Sequence, residues 1–485
     1  MNSILLNKKV VKATKWSAMT EIVARLVMPI SNIVLARILA PEAFGIVATI
    51  TMVITFAEVF TDAGFQKYLV QHEFVDETDK EQSTNVAFWS NLSMSLFFWI
   101  IIAVFRNEIA RIVGNPGMGG VLVIASFSIP LAAFSSIQMA LYKRELDFKT
   151  LFKVRIVGLC IPLFVTIPCA FLMKTFWALV IGIITRDVFN AVVLTWFSKW
   201  KPRFYYSFLK LKEMLWFSSW SVAESISIWL TGYADVFLVG SVLNQYYLGL
   251  YKTSMTFVGS ITGLITAATT PVLFSSLSRL QNNQSDFMHF FLKFQKLVGI
   301  LVIPLGVIVF CFNDFITAFV LGHQWVEAAG FIGLWGLTSS IVIVLSNYAS
   351  EIYRSKGKPQ LSLLSQSLHL AFLFPAVWIA IGYGYETLYT TRALVRFQAV
   401  IVDLVIMYLY IGFLPFRLIG NIFPSILAAL LMALLSLILK RLLPDNNIFN
   451  IMSMIICCMT YLIVLFMFKD ERDLILNLPH LVRNK

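Results

Sequence analysis

Thr14 to Gly45 reads TKWSAMTEIVARLVMPISNIVLARILAPEAFG. Its apolar run is long enough to cross a bilayer, which takes about 20 residues at 1.5 Å rise each. Thr14, Ser17, Glu21, Arg25 and Asn32 recur at spacings of three, four or seven, so they share one face of a helix. A spanning helix turns such a stripe toward protein or water, because charge facing lipid costs several kcal/mol. The stretch therefore predicts a membrane helix lining a wet cavity, with the rest of the chain as its wall.

Composition agrees. Hydrophobic residues make up 59% of the 485 and the mean hydropathy is +0.80, values of the integral membrane class. Charged residues are 13%, about half the share of a soluble domain. The net charge of +12 does not point to nucleic acid, because the basic residues sit at the ends of apolar segments, which is a topology signal. MNSILLNKKVVKATK lacks the central apolar run of a cleavable signal, so the first helix is expected to be kept. Cys160, Cys169, Cys311, Cys457 and Cys458 fall in apolar segments and read as small buried side chains.

About fourteen apolar segments of spanning length follow one another, centred near Val27, Thr55, Phe97, Phe127, Pro162, Thr185, Ile228, Gly263, Ile303, Ser340, Leu370, Ala399, Leu430 and Met459. The longest links are the polar stretches near Gln71–Gln82, Lys199–Lys212 and Gln281–His289. With a cytoplasmic amino terminus and alternating sides, more than twenty Lys and Arg fall on inner links and six on outer ones. That bias orients the chain with both termini cytoplasmic and supports the helix number, since dropping one helix would destroy the alternation downstream. The fold class expected is all-α integral membrane.

The chain also repeats. LARILAPEAFG (Leu35–Gly45) is echoed by VGSVLNQYYLG (Val239–Gly249), pairing Leu39 with Leu243 and Gly45 with Gly249 at an offset of 204 residues. The same offset carries Thr14 to Ser218, Ser17 to Ser221, Glu21 to Ser225 beside Glu224, and Ser31 to Asp235. ALYKRELDFK (Ala140–Lys149) is echoed by EIYRSKGKPQ (Glu351–Gln360). Six helices per repeat predict two lobes of like orientation, related by an axis along the membrane normal. The expected divisions are 1–205, 206–415, and two extra helices with a tail over 416–485.

Ionisable residues inside the membrane are functional candidates. Thr51, Thr55, Glu58 and Asp62 form one stripe on the second helix, and Arg392, Arg396 and Asp403 another on the twelfth. Arg37, Arg186, Asp187 and Asp235 read as helix-end groups that snorkel or pair with a neighbour. Glu21, Arg25, Glu58, Asp62, Glu224, Arg392 and Arg396 are the candidates for lining a binding cavity, with structural ion pairing as the other reading. Arg25, Arg392 and Arg396 suit an anionic, phosphate-bearing ligand. The sequence shows no GxxxxGK[ST], no HExxH and no Cys/His ligand spacing, and its five histidines are scattered, so neither ATP hydrolysis nor a metal is expected. Transport would then run downhill or on an H+ or Na+ gradient, with Glu21, Glu58, Asp62 and Glu224 as proton carriers. Pro29, Pro130, Pro162, Pro271, Pro304 and Pro375 lie inside predicted helices, where they remove backbone hydrogen bonds.

LARILAPEAFGIVA with FTDAGFQKYLVQ, ALYKRELDFKTL, GLYKTSMTF and PVLFSSLSRLQ together resemble bacterial oligosaccharide flippases. These form the polysaccharide-transport branch of the multidrug/oligosaccharidyl-lipid/polysaccharide exporter superfamily, of colanic-acid and O-antigen type. The likeness runs to about the twelfth helix. It implies two six-helix lobes around a central cavity, alternating access, no enzymatic activity and a bacterial inner-membrane location. The implied substrate is an undecaprenyl-diphosphate-linked oligosaccharide moved from the cytoplasmic to the outer leaflet, with Arg25 and Arg396 as positional candidates for holding the diphosphate. A polysaccharide polymerase and a chain-length regulator are the implied partners. An ion-coupled multidrug or cation antiporter on the same scaffold is the alternative, motivated by Glu58, Asp62 and Glu224. A membrane glycan polymerase or ligase would need a large outer loop, and the outer links are short.

Overall fold

The computed structural model describes the backbone of residues 3–62 and 64–483, and the side chains of 15–17, 19–62, 64–216, 222 and 225–476. Fourteen of its helices are long and apolar enough to cross a membrane, and each expected centre falls inside one. They are α1 (Ser3–Ile38), α2 (Pro41–Asp62), α3 (Glu77–Val104), α4 (Gly119–Arg144), α5 (Phe148–Met173), α6 (Trp177–Phe197) and α7 (Phe208–Val242). Then come α8 (Gln245–Arg279), α9 (Gln284–Cys311), α10 (His323–Ser355), α11 (Gln360–Ile381), α12 (Tyr385–Ile411), α13 (Phe423–Leu442) and α14 (Asn447–Phe466). A further helix, α15, covers Lys469–Arg483. No strand occurs among the described residues. The chain is an all-α multi-pass membrane protein.

Three polar stretches expected to be links are in good part helical. α3 begins at Glu77, capped by Asp76, whose carboxylate accepts from Asp79 N at 2.6 Å. α9 begins at Gln284 behind Asn283, and α7 is already helical from Phe208, well before its apolar span at Ser225. Side-chain caps such as Asp76 satisfy amide groups that the first helical turn leaves without acceptors, so polar residues there start helices rather than end them. The interior prolines lie where expected: Pro29, Pro271, Pro304 and Pro375 sit inside α1, α8, α9 and α11, and Pro162 opens a wider π-turn that interrupts α5.

Contacts group the chain into two compact units, Met1–Lys252 and Thr253–Lys485. In the first, Ile46, Ile50, Ile54 and Ala57 make one face of α2 and bury against Ile102 of α3, four apolar residues of α4 and Val180 of α6. α1 lies on α5, and α7 packs on α2 and α3. The expected division at 205 concerns repetition, whereas this grouping concerns packing; α7, the first helix of the expected second repeat, packs with the first unit.

In the second unit, α9 and α10 form the closest pair. Small residues permit it. A Cβ on Gly306 would stand 2.8 Å from the Gly336 carbonyl, and one on Gly336 2.7 Å from Val309 Cγ1. Between helices in lipid, such close backbone approach supplies the packing that hydrophobic burial supplies in water. α13 rests on α9 and α14, and α11 rests on α12.

Both sequence echoes have structural counterparts. α4 and α10 end in the same left-handed cap, at Leu146 (φ 59°) and Gly357 (φ 70°). In the first, Asp147 N donates to Tyr142 O at 2.9 Å; in the second, Lys358 N donates to Tyr353 O at 2.8 Å. Those are equivalent positions of the two quoted stretches, and the 6→1 bond is the Schellman closure of a helix end. Basic side chains just before these caps clamp neighbouring segments. Arg144 donates to Leu69 O and His72 O at 2.9 and 2.7 Å, and Lys356 to Gln281 O at 2.7 Å. Burial and the nearby Lys358 charge hold the Lys356 ammonium below its ordinary pKa.

The other echo meets itself. At the α1–α2 and α7–α8 elbows, a Cβ on Gly45 would overlap the carbonyl of Gln245, and one on Gly249 would overlap that of Pro41. Gln245 lies 204 residues after Pro41, as Gly249 does after Gly45. The contact is thus reciprocal, as across a two-fold axis. Gly45→Ala is expected to cost about 1–3 kcal/mol by forcing the elbows apart. Gly120→Ala, where a Cβ meets nothing within 4 Å, should be near neutral. Thermal unfolding of the two variants in detergent compares them.

Candidate functional site

α1 brings its polar stripe against α5. Glu21 is exposed and pairs with Arg155 of α5 at 3.2 Å, so an acidic group expected to line a cavity is engaged by a neighbouring helix. Arg25, one turn further, is half-buried, and Arg37 is exposed in the last turn of α1, as expected of a helix-end cation.

Charges of α6 act on the α2 stripe. Glu58 is half-buried and lies in the field of Asp62 on its own helix and of Arg186 and Asp187 on α6. Arg186 Nε meets Asp187 Oδ1 at 3.1 Å. The pairing was expected; the position was not. Both residues lie at the middle of α6 rather than near an end, because the helix runs from Trp177 to Phe197. Three carboxylates and a guanidinium thus act on one another in a partly buried patch of the first unit. The signal available in the sequence was the length of the apolar run around Arg186 on both sides. Asp62, at the end of α2, also stands among Gln66, Lys67 and Lys143. Along the same stripe, the Trp229 indole of α7 donates to Thr55 Oγ1 at 3.2 Å.

Asp235 also departs from the helix-end reading. It is buried in α7, and Tyr251 Oη of α8 donates to it at 2.9 Å, which ties the two helices together below their elbow. The side chain of Glu224 lies outside the described residues.

In the second unit, the α12 stripe is built around one indole. Arg392 and Arg396, one turn apart, both stack on Trp335 of α10, at 5.0 and 4.0 Å from the ring centroid. Arg396 Nη1 donates to Ser339 Oγ at 2.6 Å. The electron-rich ring face offsets part of the repulsion between two guanidinium groups held this close. A guanidinium carries five N–H donors in a planar fork, and stacking on the indole does not itself use them. Trp335 was not singled out in the sequence, since a tryptophan in an apolar run has the pattern of ordinary core.

Asp403, the last member of that stripe, is a separate centre. Ser365 Oγ of α11 donates to it at 2.7 Å, Tyr353 Oη of α10 at 3.1 Å, and Ser346 Oγ of α10 also donates to it. Ser346 sits in a π-turn, Ile343–Asn347. One buried carboxylate therefore joins three helices through hydroxyls. α8 contributes a row of hydroxyls as well: Thr262, Thr266 and Thr269 each donate back to the carbonyl four residues earlier. The sequence signal for this row is the recurrence of threonine at three- and four-residue steps.

Residues 34–330 match the family model described as polysaccharide biosynthesis protein, more than half of the chain. The chain belongs to that family. This member is 22% identical over 384 residues to an uncharacterised membrane protein in the cps region of Klebsiella pneumoniae, covering 77% of each chain. It is 22% identical to the succinoglycan biosynthesis transport protein ExoT of Rhizobium meliloti (strain 1021), over 70% of this chain and 68% of that protein. It is 19% identical to the lipopolysaccharide biosynthesis protein WzxC of Escherichia coli (strain K12), over 77% and 75%. Among solved structures, lipid II flippase MurJ in an inward closed conformation superposes with a TM-score of 0.76 at 15% identity, over 95% of this chain and all of that one. An inward-facing multidrug resistance transporter of the MATE family superposes at 0.60 with 13% identity, over 81% and 98%. These likenesses define the fold, shared with flippases and exporters.

Trp335→Ala is expected to destabilise by about 3–5 kcal/mol through the lost ring, and Trp335→Phe by clearly less. Asp403→Asn, which cannot accept from all three hydroxyls, should cost about 1–3 kcal/mol. Melting temperatures in one detergent rank the three.

Proposed function

We propose that the protein is a flippase for a polyprenyl-diphosphate-linked oligosaccharide, of undecaprenyl type, moved from the cytoplasmic to the outer leaflet by alternating access between two six-helix lobes. It acts in the assembly of a surface polysaccharide and carries out no bond chemistry itself. The observation that carries this reading is the coincidence, on one chain, of the polysaccharide biosynthesis family with the fold of a lipid II flippase over 95% of the sequence. The names of the relatives, a succinoglycan transport protein and a lipopolysaccharide biosynthesis protein, support it.

A glycan cannot cross hydrocarbon, because its hydroxyls would be left without partners. Hydroxyl-rich surface such as that of α8 offers exchangeable hydrogen bonds to a sugar. The diphosphate needs cations, and Arg25 on α1 with Arg392 and Arg396 on α12 are the ones proposed to hold it. Glu21, Asp62 and Glu224 are proposed as further lining groups. The reciprocal elbow contact at Gly45 and Gly249 is proposed as the closure on the outer side. The bias of Lys and Arg toward inner links supports a bacterial inner-membrane protein with both termini cytoplasmic. A polymerase and a chain-length regulator are the proposed downstream partners.

A second reading is an ion-coupled antiporter for drugs or cations. The acidic patch of Glu58, Asp62 and Asp187 favours it, together with the likeness to a MATE transporter. The same patch would serve a flippase driven by an H+ or Na+ gradient.

Vesicles with purified protein and a fluorescent lipid-linked glycan distinguish the two: the flippase moves the glycan between leaflets, and the antiporter does not. Deleting the gene should cause the lipid-linked glycan to accumulate on the cytoplasmic side. Arg25→Ala and Arg396→Ala are each expected to lower glycan translocation at least ten-fold while the protein stays in the membrane, with Arg→Lys recovering only part. Full translocation in both alanine variants removes the diphosphate clamp.

A further inference from the structure

The link between α6 and α7 is held in place yet covered with exposed aromatic rings. Arg203 N donates to Asn85 Oδ1 at 2.8 Å, Trp89 Nε1 donates to Arg203 O at 2.9 Å, and the Arg203 guanidinium pairs with Glu81 at 3.0 Å. Lys210 pairs with Asp79. These contacts fix the link to α3. From it and its flanks, Trp196, Phe204, Phe208 and Trp216 project with 78%, 90%, 78% and 83% of their surface exposed. A backbone pinned by hydrogen bonds that still presents this much aromatic surface has the make-up of a membrane–water interface, where amphipathic rings gather.

Beside the link, a groove of about 680 Å³ runs between α4 and α6. Leu131 and Phe134 form one wall, and Ala191, Val192, Thr195 and Trp196 the other, with Lys201 completing the lining. The Lys201 ammonium lies over the carboxyl end of α6, donating to Trp196 O at 3.0 Å and to Thr195 O. An ammonium has three donors, so this one keeps a donor and its charge for a ligand. Lys201 comes four residues after the end of the α6 span, the depth at which lipid phosphates lie. Lys199 is exposed on the same turn of chain.

We propose that this groove binds one anionic phospholipid, an acyl chain lying against Leu131, Phe134 and Val192 and the phosphate meeting Lys201. Charge complementarity selects the headgroup. A glycerol headgroup leaves the lipid a net anion beside Lys201 and Lys199, whereas a choline headgroup places a second cation there. Basic residues at an anionic membrane surface favour association about five-fold each. The site is independent of the proposed transport activity: it lies on an exposed face of α4 and α6 in the first unit and needs no substrate.

Native mass spectrometry of the whole protein in an uncharged detergent tests it, with phosphatidylglycerol and phosphatidylcholine of matched chains as probes. Wild-type protein should retain a phosphatidylglycerol adduct at least five-fold more than a phosphatidylcholine one. Lys201→Gln should bring the preference down toward that of the remaining surface, and Lys201→Arg should keep it. Val192→Trp, which fills the groove and leaves Lys201 in place, should remove the same adduct. Equal retention of the two lipids by wild type overturns the proposal. So does an unchanged preference in both Lys201→Gln and Val192→Trp. Complete displacement of the adduct by millimolar inorganic phosphate also overturns it, in favour of a site for a free anion.

Discussion

In hydrocarbon a polar group finds its partner inside the protein or not at all. Much of the side-chain chemistry of this chain is arranged around that constraint. Asp403 takes three hydroxyls from two neighbouring helices. Asp235 takes the hydroxyl of Tyr251. Arg392 and Arg396 share an indole. Each serves as a rivet between spans that apolar contact alone would hold without fixed register, because lipid tails are as apolar as leucine. The glycines do the complementary work by letting backbones approach. Gly306 and Gly336 bring α9 and α10 together, and the elbows meet at Gly45 and Gly249.

The number and placement of the spans were legible because about 20 apolar residues in a row have few other uses. Helix ends were less so: Asp76 and Asn283 look like loop residues and act as caps. The repeat was legible at its turns, where geometry restricts the choice of residue. Leu146 and Gly357 hold the same left-handed cap although only one of them is a glycine. Between the turns, side chains face lipid or a neighbour and can change as long as they remain apolar.

The site was legible one stripe at a time. Spacing on one helix identifies which residues share a face, and so Glu58, Arg392 and Arg396 were marked. It does not identify what a second helix brings to that face. Trp335 and Ser339 for Arg396, Arg155 for Glu21 and the Arg186–Asp187 pair for Glu58 all come from helices distant in sequence. Charge is costly at mid-span, which favours a terminal reading of Arg186 and Asp187 in the sequence. Their mutual contact at 3.1 Å reduces that cost, and adjacency in sequence is what makes the contact available.

The elbow glycines carry a consequence for descent by duplication. A surface that touches its own copy experiences each change twice when both copies are identical, and only once after they diverge. Drift could therefore turn Pro41 into Gln245 at the matching place while both glycines stayed, since the backbones touch there and a side chain on either would part them. The seam keeps both glycines of the repeat where the two backbones meet.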